Sequence, residues 1–167
     1  SVFVFALTGA LVASRAQLDL VGFLFIAALT ALGGGTIRDL LLDRNPIFWM
    51  ADPTLLAVTA IAAGLVFLTA HLFESRLRVL TWLDAIALAI AAPAGVGLTL
   101  DMGQHWGVVL IMGIATGTFG GLMRDVVCNE VPLVLKQGEL YLTAAFAGAA
   151  AALGAKAIGL DQSIALI

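Results

Sequence analysis

One short pattern occurs twice in this chain, and its two copies lie 86 residues apart. The first copy is GGTIRD at Gly34–Asp39, and the second is GGLMRD at Gly120–Asp125. The same shift superimposes Pro46 on Pro132, so one offset explains both matches. Two glycines, a charged pair and a proline at fixed spacing are improbable by chance, and we interpret them as an internal duplication.

The composition around the two copies indicates an all-α integral membrane protein. Hydrophobic residues make up 62% of the chain, charged residues only 11%, and the mean hydropathy is +1.09. The 167 residues leave room for about six or seven membrane-spanning helices of about 20 residues each. The net charge is only −3 and no basic run is present, which excludes nucleic acid as a partner.

Hydropathy, charges and prolines predict the helices and divide them into two halves. The predicted helices are 1–14, 18–44, 53–73, 79–100, 104–129 and 139–158, with 163–167 as the remnant of a seventh. Truncation and disorder are the alternatives for the rest of that seventh helix. No long linker interrupts the chain, so we expect one domain, 1–167, with repeats at 1–73 and 87–158.

Each repeat contains three helices, and this odd number determines how the two repeats are related. Three crossings bring the second copy into the membrane from the opposite side, which makes the pair an inverted-topology repeat. Matching elements of such repeats meet near the middle of the membrane. The connectors after the first, third and fifth helices hold Arg15, Arg76, Arg78 and Lys136, against Arg44 and Lys156 in the others. The positive-inside rule therefore predicts an N-terminus outside the cell.

Glycines accumulate in the second and fifth predicted helices, at Gly33, Gly34 and Gly35 and at Gly117, Gly120 and Gly121. Such runs weaken a helix, and we expect both helices to be kinked or unwound there. Thr36 with Asp39 resembles a capping box for a new helical segment. Freed backbone groups must face protein or a water-filled cavity, so broken helices at matching positions indicate a permeation or substrate site.

Polar side chains accompany the glycines. The candidates near a pore are the charged residues Arg38, Asp39, Arg124, Asp125 and Asp84, and the hydroxyls of Thr30, Thr36, Thr116 and Thr118. An unpaired charge at the membrane centre costs about 3 kcal/mol, so we expect each arginine to find a carboxylate in its own subunit. The alternatives are charges that tie helices together near the membrane face, and threonines that bond to their own backbone.

The duplicated GGGxxRD and GGxxRD motifs, with a proline seven residues after each aspartate, resemble the prokaryotic trimeric intracellular cation (TRIC) channels. The resemblance covers essentially the whole chain. It implies seven helices as two inverted three-helix bundles plus one, a homotrimer, and one pore per protomer beside the kinked second and fifth helices. It also implies passive flux of monovalent cations, chiefly potassium. The glycines and Arg-Asp pairs named above are the residues that match the motif.

Partners and alternatives follow from the same residues. The permeant ions would be potassium and sodium, no cofactor or metal is expected, and the partners would be two further copies of the chain and membrane lipids, including bound lipid. The same domain has also been described as a glycine transporter, which predicts a closed pocket near the midplane. A purely structural membrane protein would use the glycines only as helix contacts. No nucleophile with a base and no set of metal ligands can be assembled, so we do not expect an enzyme.

Overall fold

The computed structural model describes residues 1–69 and 76–135 and four single helical positions, 148, 150, 151 and 154. Its helices are α1 (Val2–Arg15), α2 (Leu20–Leu41), the short α3 (Phe48–Ala51), α4 (Thr54–Thr69), α5 (Arg76–Asp101) and α6 (Trp106–Val127). A 3-10 turn follows at Leu133–Leu135. α1 packs against α2, α4 and α5, while α6 packs against α2 and α5.

The helices agree with the predicted membrane segments. The bounds of α1, α2, α5 and α6 lie within three residues of the predicted ones, and α4 begins one residue after its predicted start. α2, Leu77–Asp101 of α5 and α6 are long and apolar enough to cross a membrane, and α1 and α4 are shorter apolar helices. The predicted sixth helix, apart from the four single positions, and the seventh lie outside the described residues.

The duplication is visible in the backbone. The shift of 86 residues places both ends of α2 on both ends of α6, and the last residue of α1 on the last residue of α5. The residues before the two long helices are also equivalent, because Asp19 accepts a hydrogen bond from the Gly22 amide and His105 one from the Gly107 amide. Such caps satisfy amides that a helix start leaves unpaired.

The helix ends repeat as well. Asp43 after α2 and Asn129 after α6 have φ angles of 51° and 55°, and Gln17 after α1 and Gly103 after α5 have 55° and 72°. A left-handed residue after the last turn is a common way to end a helix. Both members of each pair therefore stop their helices by the same geometry.

α2 and α6 cross in opposite directions at a reciprocal contact. A Cβ atom on Gly34 would clash with the carbonyl oxygen of Thr116, and one on Gly120 would clash with the carbonyl oxygen of Thr30. Residues 30 and 34 of one helix thus face the equivalents of 34 and 30 on the other. This antiparallel, two-fold-like crossing agrees with the inverted repeat. The close backbone approach explains why both contact positions are glycine.

One local expectation is narrowed and another is wrong. α2 and α6 are continuous α-helices through both glycine runs, so neither helix is unwound there. Thr36 lies inside α2 and its hydroxyl donates to the carbonyl of Leu32, so it does not cap a new segment. The reason is that neighbouring helices cover the glycines, which keeps the helix intact. A kink without unwinding stays a prediction.

Candidate functional site

Buried charged side chains lie toward the C-terminal ends of both crossing helices. In the second half, Arg124 is fully buried and all three of its guanidinium nitrogens donate hydrogen bonds. Nη1 and Nη2 each lie 2.8 Å from an oxygen of Asp84, and Nε lies 2.7 Å from Oδ1 of Asp125. Two-point pairing with a carboxylate is the strongest arrangement available to arginine. The predicted carboxylate partners are present.

The first half has a looser version of this site. Nε and Nη2 of Arg38 lie 2.8 and 2.6 Å from the same oxygen, Oδ1 of Asp39. Nη1 of Arg38 has no partner among the described residues. Arg44 approaches the other oxygen of Asp39 at 3.3 Å and is partly exposed. Among the described residues, no second carboxylate contacts Arg38 as Asp84 contacts Arg124.

Both motif aspartates also hold the chain that follows their helices. Oδ2 of Asp39 accepts the amide of Phe48 at 2.8 Å, and Oδ2 of Asp125 accepts the amide of Leu133 at 2.8 Å. The second oxygen of each carboxylate is thus used to fix a backbone segment. The expectation that these charges tie neighbouring elements together describes the aspartates well, while any role in permeation stays a prediction.

A cavity of about 140 Å³ lies beside Arg38. Its walls include Thr30, Gly34 and Gly35 of α2 and Thr116 of α6. The equivalent space beside Arg124 is only about 10 Å³ and is lined by Asp84, Gly117, Thr118, Gly121 and Asp125 among others. About 10 Å³ is close to the minimum that holds one water molecule. The two spaces thus differ in volume, and Ser1 and Val2 at the start of the sequence also border the larger one.

The four threonines use their hydroxyl hydrogens within their own helices. Thr30, Thr36, Thr116 and Thr118 each donate to the carbonyl four residues earlier, at 2.6 to 2.8 Å. Thr36 also accepts a hydrogen bond from Nε1 of Trp49 and lines neither cavity. Thr30 and Thr116 line the larger cavity, where their oxygens retain the capacity to accept.

The remaining glycines contact side chains. A Cβ atom on Gly33 would meet the terminal methyl of Met123, one on Gly35 the ring of Phe48 at 2.5 Å, and one on Gly117 the side chain of Leu88 at 2.6 Å. Gly121 has more room, since its nearest neighbour would be Nη2 of Arg124 at 3.6 Å. The glycines thus bring α2 close to α6 and α3, and α6 close to α5.

Several lining residues were missed by the sequence analysis, among them Phe48, Phe5 and Ala91. Phe48 lies 5.7 Å from the Arg38 guanidinium carbon and covers the larger cavity with its ring. Phe5 and Ala91 also line that cavity and are equivalent under the 86-residue shift. None of them carries a charge or a motif.

Comparisons with known proteins agree with this architecture. A family model described as glycine transporter matches residues 1–71 and 81–157. A UPF0126 membrane protein of Vibrio cholerae is 39% identical over 168 residues, which cover 98% of this chain and 69% of the relative. The UPF0126 inner membrane protein YadS of Escherichia coli is 38% identical over 149 residues, covering 87% and 70%.

Among solved structures, the fold matches that of the TRIC trimeric intracellular cation channel orthologue from Rhodobacter sphaeroides. The TM-score is 0.94 and the identity 43%, with 99% of this chain and 84% of that chain covered. The similarity thus extends over α1 to α6 and both crossing glycine runs.

Proposed function

Because this chain belongs to the prokaryotic TRIC family, which also includes proteins described as UPF0126 membrane proteins, we propose that it forms a channel for monovalent cations. Potassium is the favoured ion, sodium also permeates, and no cofactor takes part. Each protomer of a homotrimer carries one pore beside α2 and α6. The solved relative is described as a trimeric cation channel.

The buried charge of the site is the observation that carries this proposal. Among the described residues, the buried ionisable side chains are two arginines and three aspartates: Arg38, Arg124, Asp39, Asp84 and Asp125. Ionised together these buried side chains carry a net charge of −1, while the partly exposed Arg44 lies 3.3 Å from Asp39. A surplus of negative charge favours cations over anions in a permeation path. The aspartates also explain how two arginines are accommodated in the bundle, because each arginine is paired with an aspartate.

The α2–α6 crossing offers the start of a path. The cavity beside Arg38 reaches the crossing glycine Gly34, and the oxygens of Thr30 and Thr116 line it. Hydroxyl oxygens that donate their hydrogens elsewhere present lone pairs, which can replace part of an ion's hydration shell. A few weak oxygen contacts suit conduction, since an ion has to leave as easily as it enters.

The cellular setting is a prokaryotic inner membrane. The chain is a multi-pass membrane protein, like its relatives, one of which is described as an inner membrane protein. The arginine and lysine distribution of the connectors supports an N-terminus on the outside. Lipids surround the trimer and contact its exposed apolar residues.

Transport of glycine is the second candidate function. The description of the matching family model favours it, and so does the larger cavity. A zwitterion placed there would offer its carboxylate to Arg38 and its ammonium group to the threonine oxygens. A transporter of this kind would saturate with glycine, whereas a channel would carry potassium passively.

Purified protein in liposomes distinguishes the two functions. We expect voltage-driven potassium flux without saturable uptake of radiolabelled glycine. Ala91→Phe, which places in α5 the residue that α1 has at the equivalent position, should reduce the flux by filling the cavity. Ile111→Phe on the exposed face of α6 is the matched control and should conduct normally. Saturable glycine uptake without potassium flux would contradict the channel.

A further inference from the structure

Two hydrogen bonds join the short helix α3 to the first copy of the motif. Oδ2 of Asp39 accepts the backbone amide of Phe48 at 2.8 Å, and the hydroxyl oxygen of Thr36 accepts Nε1 of Trp49 at 3.0 Å. Thr36 lines neither cavity, so the proposed path for ions leaves it without a role. Its contact with Trp49 gives it one, which is to hold α3 against α2.

The ring of Phe48 completes this seat for α3. The ring lies 5.7 Å from the guanidinium carbon of Arg38, and a Cβ atom on Gly35 would come within 2.5 Å of it. The lack of a side chain at Gly35 therefore lets the ring rest against α2. Glycine, threonine, arginine and aspartate of the GGTIRD motif thus each contact α3.

α3 is held by these contacts rather than by deep burial. It has only four residues, Phe48–Ala51, and none of them is fully buried. Segments with few buried contacts open locally while the rest of a protein stays folded. Two hydrogen bonds and a ring contact are few enough for α3 to leave its seat and return without unfolding the long helices.

The segment after α6 is held differently. Under the 86-residue shift, Thr36 and Trp49 correspond to Leu122 and Leu135, which cannot form the side-chain hydrogen bond. Leu133 of this segment is only 4% exposed and belongs to the apolar core. Burial thus fixes the segment after α6, whereas the segment after α2 has a seat that it can leave.

We propose that docking of α3 on the first motif controls conduction. In the docked state the Phe48 ring stays at the wall of the path beside Arg38, and cations pass. When α3 leaves its seat, Asp39 no longer holds the Phe48 backbone, and the ring is free to enter the path and block it. Thr36 and Trp49 are positioning residues for this control, which rests on the proposed channel.

Removal of the hydrogen bond between Thr36 and Trp49 tests this control. Trp49→Phe removes the donor and keeps an aromatic ring, while Thr36→Val removes the acceptor and keeps the side-chain shape. In single-channel recordings in a planar bilayer, each variant should raise the ratio of closed to open time about 2- to 10-fold, the usual contribution of one hydrogen bond. The current through the open level should not change. The double variant should match the single variants, because all three lack the same bond.

Thr59→Val in α4 and Trp82→Phe in α5 are the matched controls. The Thr59 hydroxyl donates within its own helix and Trp82 is 69% exposed, so both variants should keep the wild-type ratio. Hydrogen–deuterium exchange of the purified full chain in detergent follows α3 without any current. The amides of residues 47–52 should exchange about 2- to 10-fold faster in Thr36→Val and Trp49→Phe, with the exchange of α4 unchanged.

The two measurements together decide the outcome. Faster exchange with a higher ratio of closed to open time supports control of conduction by α3. Faster exchange with an unchanged ratio would overturn it, because α3 would then move without closing the path. Unchanged exchange would overturn it too, because Thr36 and Trp49 would then not seat α3. A wild-type chain without current would overturn the channel and its control together, while the exchange rates would still show whether the seat exists.

Discussion

In the two halves, α1 and α2 match α5 and α6 in their helix ends, but the surroundings of the motif arginine differ. Beside Arg124, Asp84 and Asp125 take every guanidinium nitrogen, and almost no space remains. Beside Arg38, one nitrogen has no partner among the described residues, and the cavity is about 140 Å³. The same arginine of the repeat thus has different surroundings in the two halves, as far as the described residues show.

The largest expected difference between the halves concerns the arginines. Arg124→Met leaves Asp84 and Asp125 buried near each other without a cation and should cost about 3–5 kcal/mol of unfolding free energy. Arg38→Met should cost less, because Asp39 keeps Arg44 and the Phe48 amide. Denaturant unfolding in mixed micelles measures both.

The double variant Asp84→Leu with Arg124→Met is the control for that experiment. It removes Asp84 together with Arg124 and leaves Asp125 with the Leu133 amide, so it should recover part of the loss. If both single arginine variants lost equal stability, the expected difference between the two halves would be wrong.

The crossing glycines should respond alike in both halves. Alanine at Gly34 or Gly120 would collide with a backbone carbonyl of the other helix, which cannot move without separating α2 from α6. Each substitution should cost about 1–3 kcal/mol, the usual penalty of overpacking. Gly64→Ala in α4 is the control, since its Cβ would meet no described atom within 4 Å. Unfolding midpoints that match the wild type for Gly34→Ala and Gly120→Ala would contradict the reciprocal contact.

Substitution of the glycine after each crossing glycine, Gly35 in α2 and Gly121 in α6, should again have different effects in the two halves. Gly35→Ala would displace the Phe48 ring and should reduce potassium flux in liposomes, because Phe48 borders the larger cavity. Gly121→Ala has space and should leave flux unchanged, with a stability change from zero to a gain of about 1 kcal/mol. Equal loss of flux in the two variants would show that the first half has no special part in conduction.

The smallest effect concerns a pair at the surface. Arg15 and Glu130 lie 3.1 Å apart and are both partly exposed, so Arg15→Gln should cost about 0.2–1 kcal/mol. Their repeat equivalents, Asp101 and Arg44, have the opposite signs. Swapping the charges with Arg15→Glu and Glu130→Arg should therefore restore most of the thermal stability that Arg15→Glu alone removes. A double variant no more stable than that single variant would contradict the pairing.

The repeat made much of this predictable from the sequence. The 86-residue offset indicated that α2 and α6 are equivalent helices. The cost of an unpaired arginine inside the bundle predicted a carboxylate partner for both Arg38 and Arg124. The choice of Asp84 for Arg124 needed coordinates, because Asp84 lies 40 residues away along the chain. The glycine runs did not unwind the helices as one expectation had it, because glycine suits a close helix crossing as well as a broken helix. Phe48 and Ala91 carried no polar signal at all.

The central claim is that cations cross this bundle beside paired arginines. The most direct measurement is the reversal potential of currents through the purified protein in a planar bilayer with a tenfold gradient of potassium chloride. A net negative buried charge predicts reversal close to the potassium equilibrium potential. Reversal close to the chloride equilibrium potential, or a membrane without current, would contradict the claim.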